Sequence, residues 1–328
     1  MPAPVARFRR VLTCVALVAL ALAGTAAAGN GGLAPPSPAS PGAAHIRSVY
    51  WLILGVTAAV FLIVEVTLVL FVVRYRSRGR ARDVEGAQIR GHTKLELAWT
   101  AGPVLILAMI VSFVFYEISG INGTGVSAAT PASTIRIEGH QYYWEFTYPN
   151  GKVAIDDLRL PLGEAAHFEI VSGDVNHSWW VPALGGKVDA IPGRTNQTTW
   201  LPDKLGTFHG QCAEFCGMLH AEMLTSVEVV PPDEFRAWLR SRTADDVGHD
   251  TFNGVCAKCH GLSGQGLIGP AIAQSPLLSD RDALTILLRN GRNAMPAVGH
   301  DWSEQQLNAT IDYLQKRFKV KGSGASGG

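Results

Sequence analysis

Two stretches break the chain's ordinary mixture of polar and apolar positions. Val49 to Val73 (VYWLILGVTAAVFLIVEVTLVLFVV) and Leu95 to Ile118 (LELAWTAGPVLILAMIVSFVFYEI) are apolar on every face. Each has the ~20-residue length that crosses the hydrocarbon core of a bilayer, so a spanning hairpin over residues 48–118 is predicted. Two buried core helices of a soluble protein would show a polar face somewhere along runs this long. Between the runs lies RYRSRGRARDVEGAQIRGHTK, dense in arginine. The bias of basic residues toward the cytoplasm places this loop, residues 74–94, inside the cell and everything after the second span outside. Glu65 and Glu96 are the carboxylates noted in these runs. An acid at membrane depth is a functional candidate by default, and Glu96, at the helix entrance, is weighed against an ordinary interfacial acid.

The flanking patterns differ. Residues 1–29 combine the basic run RFRR, the apolar VLTCVALVALALAG and the small residues TAAAG, the layout of a cleaved export signal; a short first membrane helix is the alternative. Residues 30–47, rich in Pro, Gly, Ser and Ala, read as a flexible connector. From Ser133 to Val230 the runs are short and alternate with period two (STIRIEG, QYYWEFTY, AHFEIVSG, QTTWLP, LTSVEVV), with the turn signal Pro149-Asn150-Gly151 among them. That pattern predicts an antiparallel sandwich or barrel over residues 130–232, with loops gathered at its ends where sites are built. PPDEFRAWLRSR then reads as a short amphipathic helix and TADDVGHD as a polar joint, together residues 233–248. In the last stretch Leu307, Ile311, Leu314 and Phe318 form one helical stripe that Asp301 or Ser303 can cap, before a disordered tail at 321–328.

Net charge is only +1 over 328 residues, so no basic excess points to nucleic acid. The cysteines change the picture more. They stand at 14, 212, 216, 256 and 259, and Cys14 leaves with the signal. Cys212 and Cys216 sit in HGQCAEFCGMLHAEM, from His209 to Met223. In an oxidising compartment a disulfide is the default, but it explains neither His220 nor Met223. Zinc suits Cys and His but has no use for a methionine, whereas thiolates with a thioether select copper. His177, in NHSWWVP, offers a second imidazole. Further on, GVCAKCHGLSGQG holds the C-x-x-C-H signature of covalent haem attachment: Cys256 and Cys259 for the vinyl groups, His260 for the iron. Met295 is the candidate sixth ligand and His300 the runner-up, the alternative for Met295 being a core methionine.

His177 with Cys212, Glu214, Cys216, His220 and Met223, together with GHQYYWEF at 139–146 and NHSWWVPALGGKVDAIPGRTNQT at 176–198, resembles the binuclear copper centre, CuA, of subunit II of haem-copper cytochrome c oxidases. The resemblance covers about Val49 to Pro232. It implies a cupredoxin-like Greek-key β domain in which Cys212 and Cys216 bridge two coppers, His177 and His220 bind one each, Met223 is a weak ligand and Glu214 gives its backbone carbonyl. Glu214's side chain, with Asp189 behind it, resembles the family's contact to a magnesium ion shared with subunit I. His209 and Met218 match no ligand position. LELAWT resembles the family's second-helix entrance, where Glu96 would take up protons. Tyr142 stands where many relatives carry a tryptophan, in GHQWYW, that receives electrons. Residues 249–320 resemble a small all-α cytochrome c, which makes the whole similar to the caa-type terminal oxidases.

The function so implied is electron transfer from haem c to CuA and on to haem in subunit I. There oxygen is reduced to water and protons are pumped, so no catalytic site lies in this chain. The implied partners are subunits I and III, a cytochrome bc-type reductase or a cytochrome c as donor, and the plasma membrane, with the copper and haem domains on its extracytoplasmic side. The alternatives are the same module in a nitric oxide reductase and an exported copper-storage or metallochaperone protein; the latter would need neither haem nor hairpin.

Overall fold

The computed structural model describes residues 34–75, 88–121 and 134–318. The export signal, most of the basic loop and the tail therefore lie outside the described residues. The two apolar runs form helices α1 (Pro41–Tyr75) and α2 (Thr93–Ile121), both long and apolar enough to cross a membrane.

Helix α1 begins inside the expected connector. Ser40 accepts a hydrogen bond from the Ala43 amide through Oγ (3.1 Å) and is followed by Pro41, which caps and opens the helix in the usual Ser-then-Pro manner. Upstream residues are anchored too: the Ala39 amide donates to the Ala183 carbonyl (2.7 Å) and Ser40 Oγ to the Leu184 carbonyl (2.6 Å). The connector reading to residue 47 is thus corrected. Glu117, a third carboxylate near the end of the second apolar run, also escaped the sequence reading; it is buried and pairs with His45.

The β domain contains strands β1 (Thr134–His140), β2 (Tyr143–Thr147), β3 (Val153–Ile155), β4 (Asp157–Pro161) and β5 (Ala166–Ser172). They are followed by β6 (His177–Trp180), β7 (Val188–Ala190), β8 (Asn196–Trp200), β9 (Gly206–Cys212) and β10 (Leu224–Val230). The strands pair as two five-stranded sheets, in the orders β3-β2-β1-β5-β8 and β4-β10-β9-β6-β7. Their inner faces bury Trp144, Phe146, Phe168, Trp179 and Trp200, with Trp179 stacked on Trp200 at 4.5 Å between centroids. Two pairings, β1 with β5 and β4 with β10, are parallel, so the wholly antiparallel expectation is corrected. Period-two alternation reports only which face is buried. It cannot see that the chain changes sheets at Asp156, a one-residue corner at φ 59° between β3 and β4 that an Asp tolerates better than most residues.

After α3 (Pro232–Ser241) the expected polar joint is a helix, α4 (Ala244–Thr251). Thr243 and Asp246 form a reciprocal capping box at its start. A π-helical turn (Phe252–Cys256) and the short α5 (Ala257–His260) continue it; α6 (Arg281–Asn290) is capped by Asp280 and α7 (Glu304–Arg317) by Ser303. Helix α4 crosses α7 at Gly248, where a Cβ would lie 2.3 Å from the Ala309 carbonyl oxygen, so only glycine permits the approach. This helical domain does not fold around its own residues alone. Tyr143 and Ile155 of the β domain are 2% and 3% exposed and belong to the same buried cluster as Val255, Leu284, Trp302 and Ile311.

Candidate functional site

Sheet order assembles the sulfur and nitrogen donors. β6 lies beside β9, placing Trp179 opposite Cys212, and β9 turns back into β10 through the loop that carries Cys216, His220 and Met223. The loop is closed at its base, because the Cys212 amide donates to the Met223 carbonyl (2.9 Å) and the Ala213 amide to the Ser178 carbonyl (2.8 Å). His177 enters from the start of β6, fully buried. The donor atoms form one chain: His177 Nδ1 to Cys212 Sγ 3.9 Å, Cys212 Sγ to Cys216 Sγ 3.9 Å, Cys216 Sγ to His220 Nδ1 3.5 Å and to Met223 Sδ 3.8 Å. The Glu214 carbonyl oxygen lies 3.2 Å from Cys212 Sγ. Both cysteines are free thiols.

This donor set fits a copper centre. The three sulfur ligands are soft and, with His177, buried, His220 is half-buried, and no bond joins the sulfurs. Burial opposes ionisation of Cys212, but hydrogen bonds with His177 and with the Glu214 and Ser178 backbone overcome it and hold its thiol below the usual range. Burial, and then the charge on Cys212, push Cys216 up. Two thiolates so close therefore need a bound cation before both can ionise.

Residues missed at the sequence level orient the ligands. A carboxylate can only accept, so the 2.7 Å contact of Asp174 Oδ1 with His177 Nε2 puts the proton on Nε2 and leaves the Nδ1 lone pair toward Cys212. Burial lowers the His177 pKa, yet Asp174 and Cys212 outweigh it and raise the net value. Asp174 also accepts from the Gln141 amide (2.6 Å), and Gln141 Nε2 donates to the Cys216 carbonyl (2.6 Å), tying both sides of the site together. The only sequence signal was the spacing in GDVNH, an acid three residues before the histidine.

The remaining expected positions are more mixed. Asp189 and Glu214 converge, but on the Lys187 ammonium, 3.7 Å and 4.0 Å away. His209 is exposed on β9, and Met218 is 87% exposed. Tyr142 packs against the β core, and its hydroxyl accepts from the Met218 amide (3.0 Å) in the metal-site loop. Glu96 lies exposed in the first turn of α2 and accepts from the His92 amide (3.0 Å), a favourable placement for an acid at a helix N-terminus.

In the helical domain, Cys256, His260 and Met295 line one cavity of about 300 Å³, closed by apolar residues including Leu284 and Leu288. His260 Nδ1 contacts the Pro270 carbonyl oxygen at 2.7 Å; a carbonyl only accepts, so Nδ1 carries the proton and Nε2 is left for an iron. Burial pushes Cys256 up to about 12 and raises Cys259 as well, which disfavours thiolate redox or metal chemistry at this pair. The residues fit a covalently held haem. His300 is exposed beside Asp301 and lines no part of the cavity, so it is set aside as a ligand.

Comparison with known proteins follows the same division. Residues 28–116 match the cytochrome c oxidase subunit II transmembrane domain and 152–230 its periplasmic domain, while 243–314 match cytochrome c oxidase, cbb3-type, subunit III. Cytochrome c oxidase subunit 2 of Alkalihalophilus pseudofirmus is 32% identical over 327 residues, covering 89% of this chain and 92% of the relative. That of Thermostichus vulcanus is 30% identical over 258 residues, covering 64% and 78%. Among solved structures, the periplasmic domain of subunit II of cytochrome oxidase of Bradyrhizobium japonicum is 35% identical, covers 34% of this chain and 94% of its own, and superposes with a TM-score of 0.33. With a relative aligned over nearly its full length and all three segments matched in order, this chain belongs to the cytochrome c oxidase subunit II family and carries a cytochrome c domain at its C-terminal end.

Proposed function

We propose that the chain is the electron-accepting subunit of a proton-pumping terminal oxidase, relaying electrons from a haem c through a binuclear copper centre to haem in subunit I. The observation that carries this reading is that the soft-donor cluster and the haem-type cavity are built into one compact unit of the chain. His177, Cys212, Cys216, His220, Met223 and the Glu214 carbonyl would hold the copper pair, and Cys256, Cys259, His260 and Met295 the haem. When bound, the two groups supply one-electron chemistry. The chain's residues keep His177, Cys212, Cys216 and Met223 buried and fix the His177 and His260 tautomers through Asp174 and Pro270. With the donors of both sites assigned to holding the two groups, oxygen reduction is assigned to the partner subunit. The two spanning helices would place both redox domains on the extracytoplasmic side, beside subunits I and III, to receive electrons from a bc-type reductase or a cytochrome c.

Purification of the intact complex tests the reading. Two coppers and one haem per chain, a co-purifying large subunit and turnover with oxygen rather than nitric oxide are expected. A chain with haem but no copper, or a complex that consumes only nitric oxide, would contradict it.

Glu96 is proposed to collect protons on the cytoplasmic side, where its exposed carboxylate can exchange with water. Glu96→Gln keeps size and the hydrogen bond from the His92 amide but cannot ionise. Steady-state turnover is expected to fall severalfold while haem-to-copper transfer stays normal, as followed by oxygen consumption and single-turnover absorbance; unchanged turnover would remove the role.

A further inference from the structure

Of the dipeptide between the two haem-attaching cysteines, Ala257 packs into the helical domain and Lys258 reaches the β domain. Lys258 donates through Nζ to Asp156 Oδ2 (2.6 Å) and to the Tyr142 carbonyl (2.7 Å), with both charged side chains less than a fifth exposed. Asp156 is itself fixed: it is the φ 59° corner between the sheets, and its Oδ1 accepts from the Trp144 amide (2.8 Å). Four residues before Lys258 the backbone comes so close that a Cβ on Gly254 would lie 2.5 Å from Ile155 Cγ2. Trp302 Nε1 donates to the Tyr143 hydroxyl (3.0 Å) and Gln306 Nε2 to Glu145 (2.9 Å), adding contacts from the start of α7.

Tyr142 is where this contact meets the metal-site loop. Its carbonyl takes the Lys258 ammonium, and its hydroxyl takes the Met218 amide two residues beyond Cys216. Gly217, at φ 129°, has no room for a Cβ, which would stand 2.6 Å from the Tyr142 hydroxyl oxygen. Both segments that carry cofactor ligands are therefore fitted against the same tyrosine.

We infer that Lys258 is a positioning residue that locks the haem-attachment turn and helix α5 to Asp156 and the Tyr142 carbonyl, so that the helical domain acts as a fixed donor with Tyr142 between the two ligand segments, not as a mobile domain on a tether. This rests on the electron-relay reading above. A donor on a flexible tether must search for its acceptor at an effective concentration set by the linker, and solvent friction slows that search. A donor held by a shared core, an ion pair with little exposure and a glycine-only contact has no search to make. The pair is also poorly screened by salt, because solvent scarcely reaches it.

The test uses the intact oxidase with Lys258→Met, which keeps the apolar stem and removes the ammonium, and with Asp156→Asn, which tolerates the positive φ. In Lys258→Met the amides of residues 141–156 and 252–260 should exchange with deuterium faster, while those of β6 and β9 do not change. The haem-to-copper rate should fall about tenfold or more and become dependent on solvent viscosity, with haem content and potential unchanged. The double variant should be no slower than the slower single one, since both remove one interaction. Parent-like exchange together with a parent-like, viscosity-independent rate in both variants would overturn the lock. If Lys258→Met loads no haem, Asp156→Asn carries the same readouts. Failure of the parent's haem to reduce its copper would overturn the relay reading instead, and the exchange arm would still decide whether the lock exists.

Discussion

Cys212→Ser or Cys216→Ser is expected to bring copper down to background and turnover down by more than about 100-fold, with the haem spectrum intact. Losing merely a partner behind a metal ligand costs about 10–100-fold, and each cysteine here is a donor at the centre of the chain of contacts. Cys212 stands 3.9 Å from both His177 Nδ1 and Cys216 Sγ, and Cys216 continues it to His220 and Met223. A serine hydroxyl does not ionise to give a soft ligand. The haem cavity draws on neither residue, so its spectrum separates loss of the copper site from loss of the fold. Metal analysis and visible spectra of the purified variant check this, and a variant with full copper content would remove both cysteines from the ligand set.

Truncation after Arg242 is the second large effect. Removing the helical domain exposes Tyr143 and Ile155, now 2% and 3% exposed, and fully burying such side chains is worth about 1.5–3 kcal/mol each. A copper-loaded but less stable β domain is therefore expected. Arg242 keeps its hydrogen bond to the Val153 carbonyl (2.5 Å) and loses Asp250. Even a donor on a flexible tether works at an effective concentration on the order of millimolar, so replacing a held donor by a micromolar external one should slow electron delivery roughly a thousandfold or more. Stopped-flow reduction of the truncated oxidase by its native donor checks this. Reduction at the full rate would show that the helical domain is not the obligatory route.

What could be read from the sequence depended on how local each feature was. Cys212, Cys216, His220 and Met223 lie on one hairpin loop and announce themselves within a dozen residues. His177 stood out as a candidate in NHSWWVP, but that it meets Cys212 depends on β6 running beside β9, a neighbour relation that the sequence does not spell out. Asp174 carried a weak local signal, and Gln141 none. The α4 helix was legible in principle: Thr243 and Asp246 have capping-box spacing, but a single buried aliphatic, Val247, left the stretch looking like a joint. Ser40 and Pro41 were likewise present as a start signal and hidden by small residues around them. The parallel pairings, the His45–Glu117 pair and the contact of Lys258 with Asp156 join positions far apart in sequence. No periodicity or spacing encodes such partners.

The measurement that tests the relay most directly is rapid photoreduction of the haem in the intact oxidase, followed by absorbance at haem and copper wavelengths across protein concentration and ionic strength. A docked pair within one chain predicts first-order oxidation of the haem matched in time by reduction of copper, independent of concentration and only weakly dependent on salt, since there is no long-range encounter to steer. A rate that rises with protein concentration, or haem oxidation without matching copper reduction, would contradict the account.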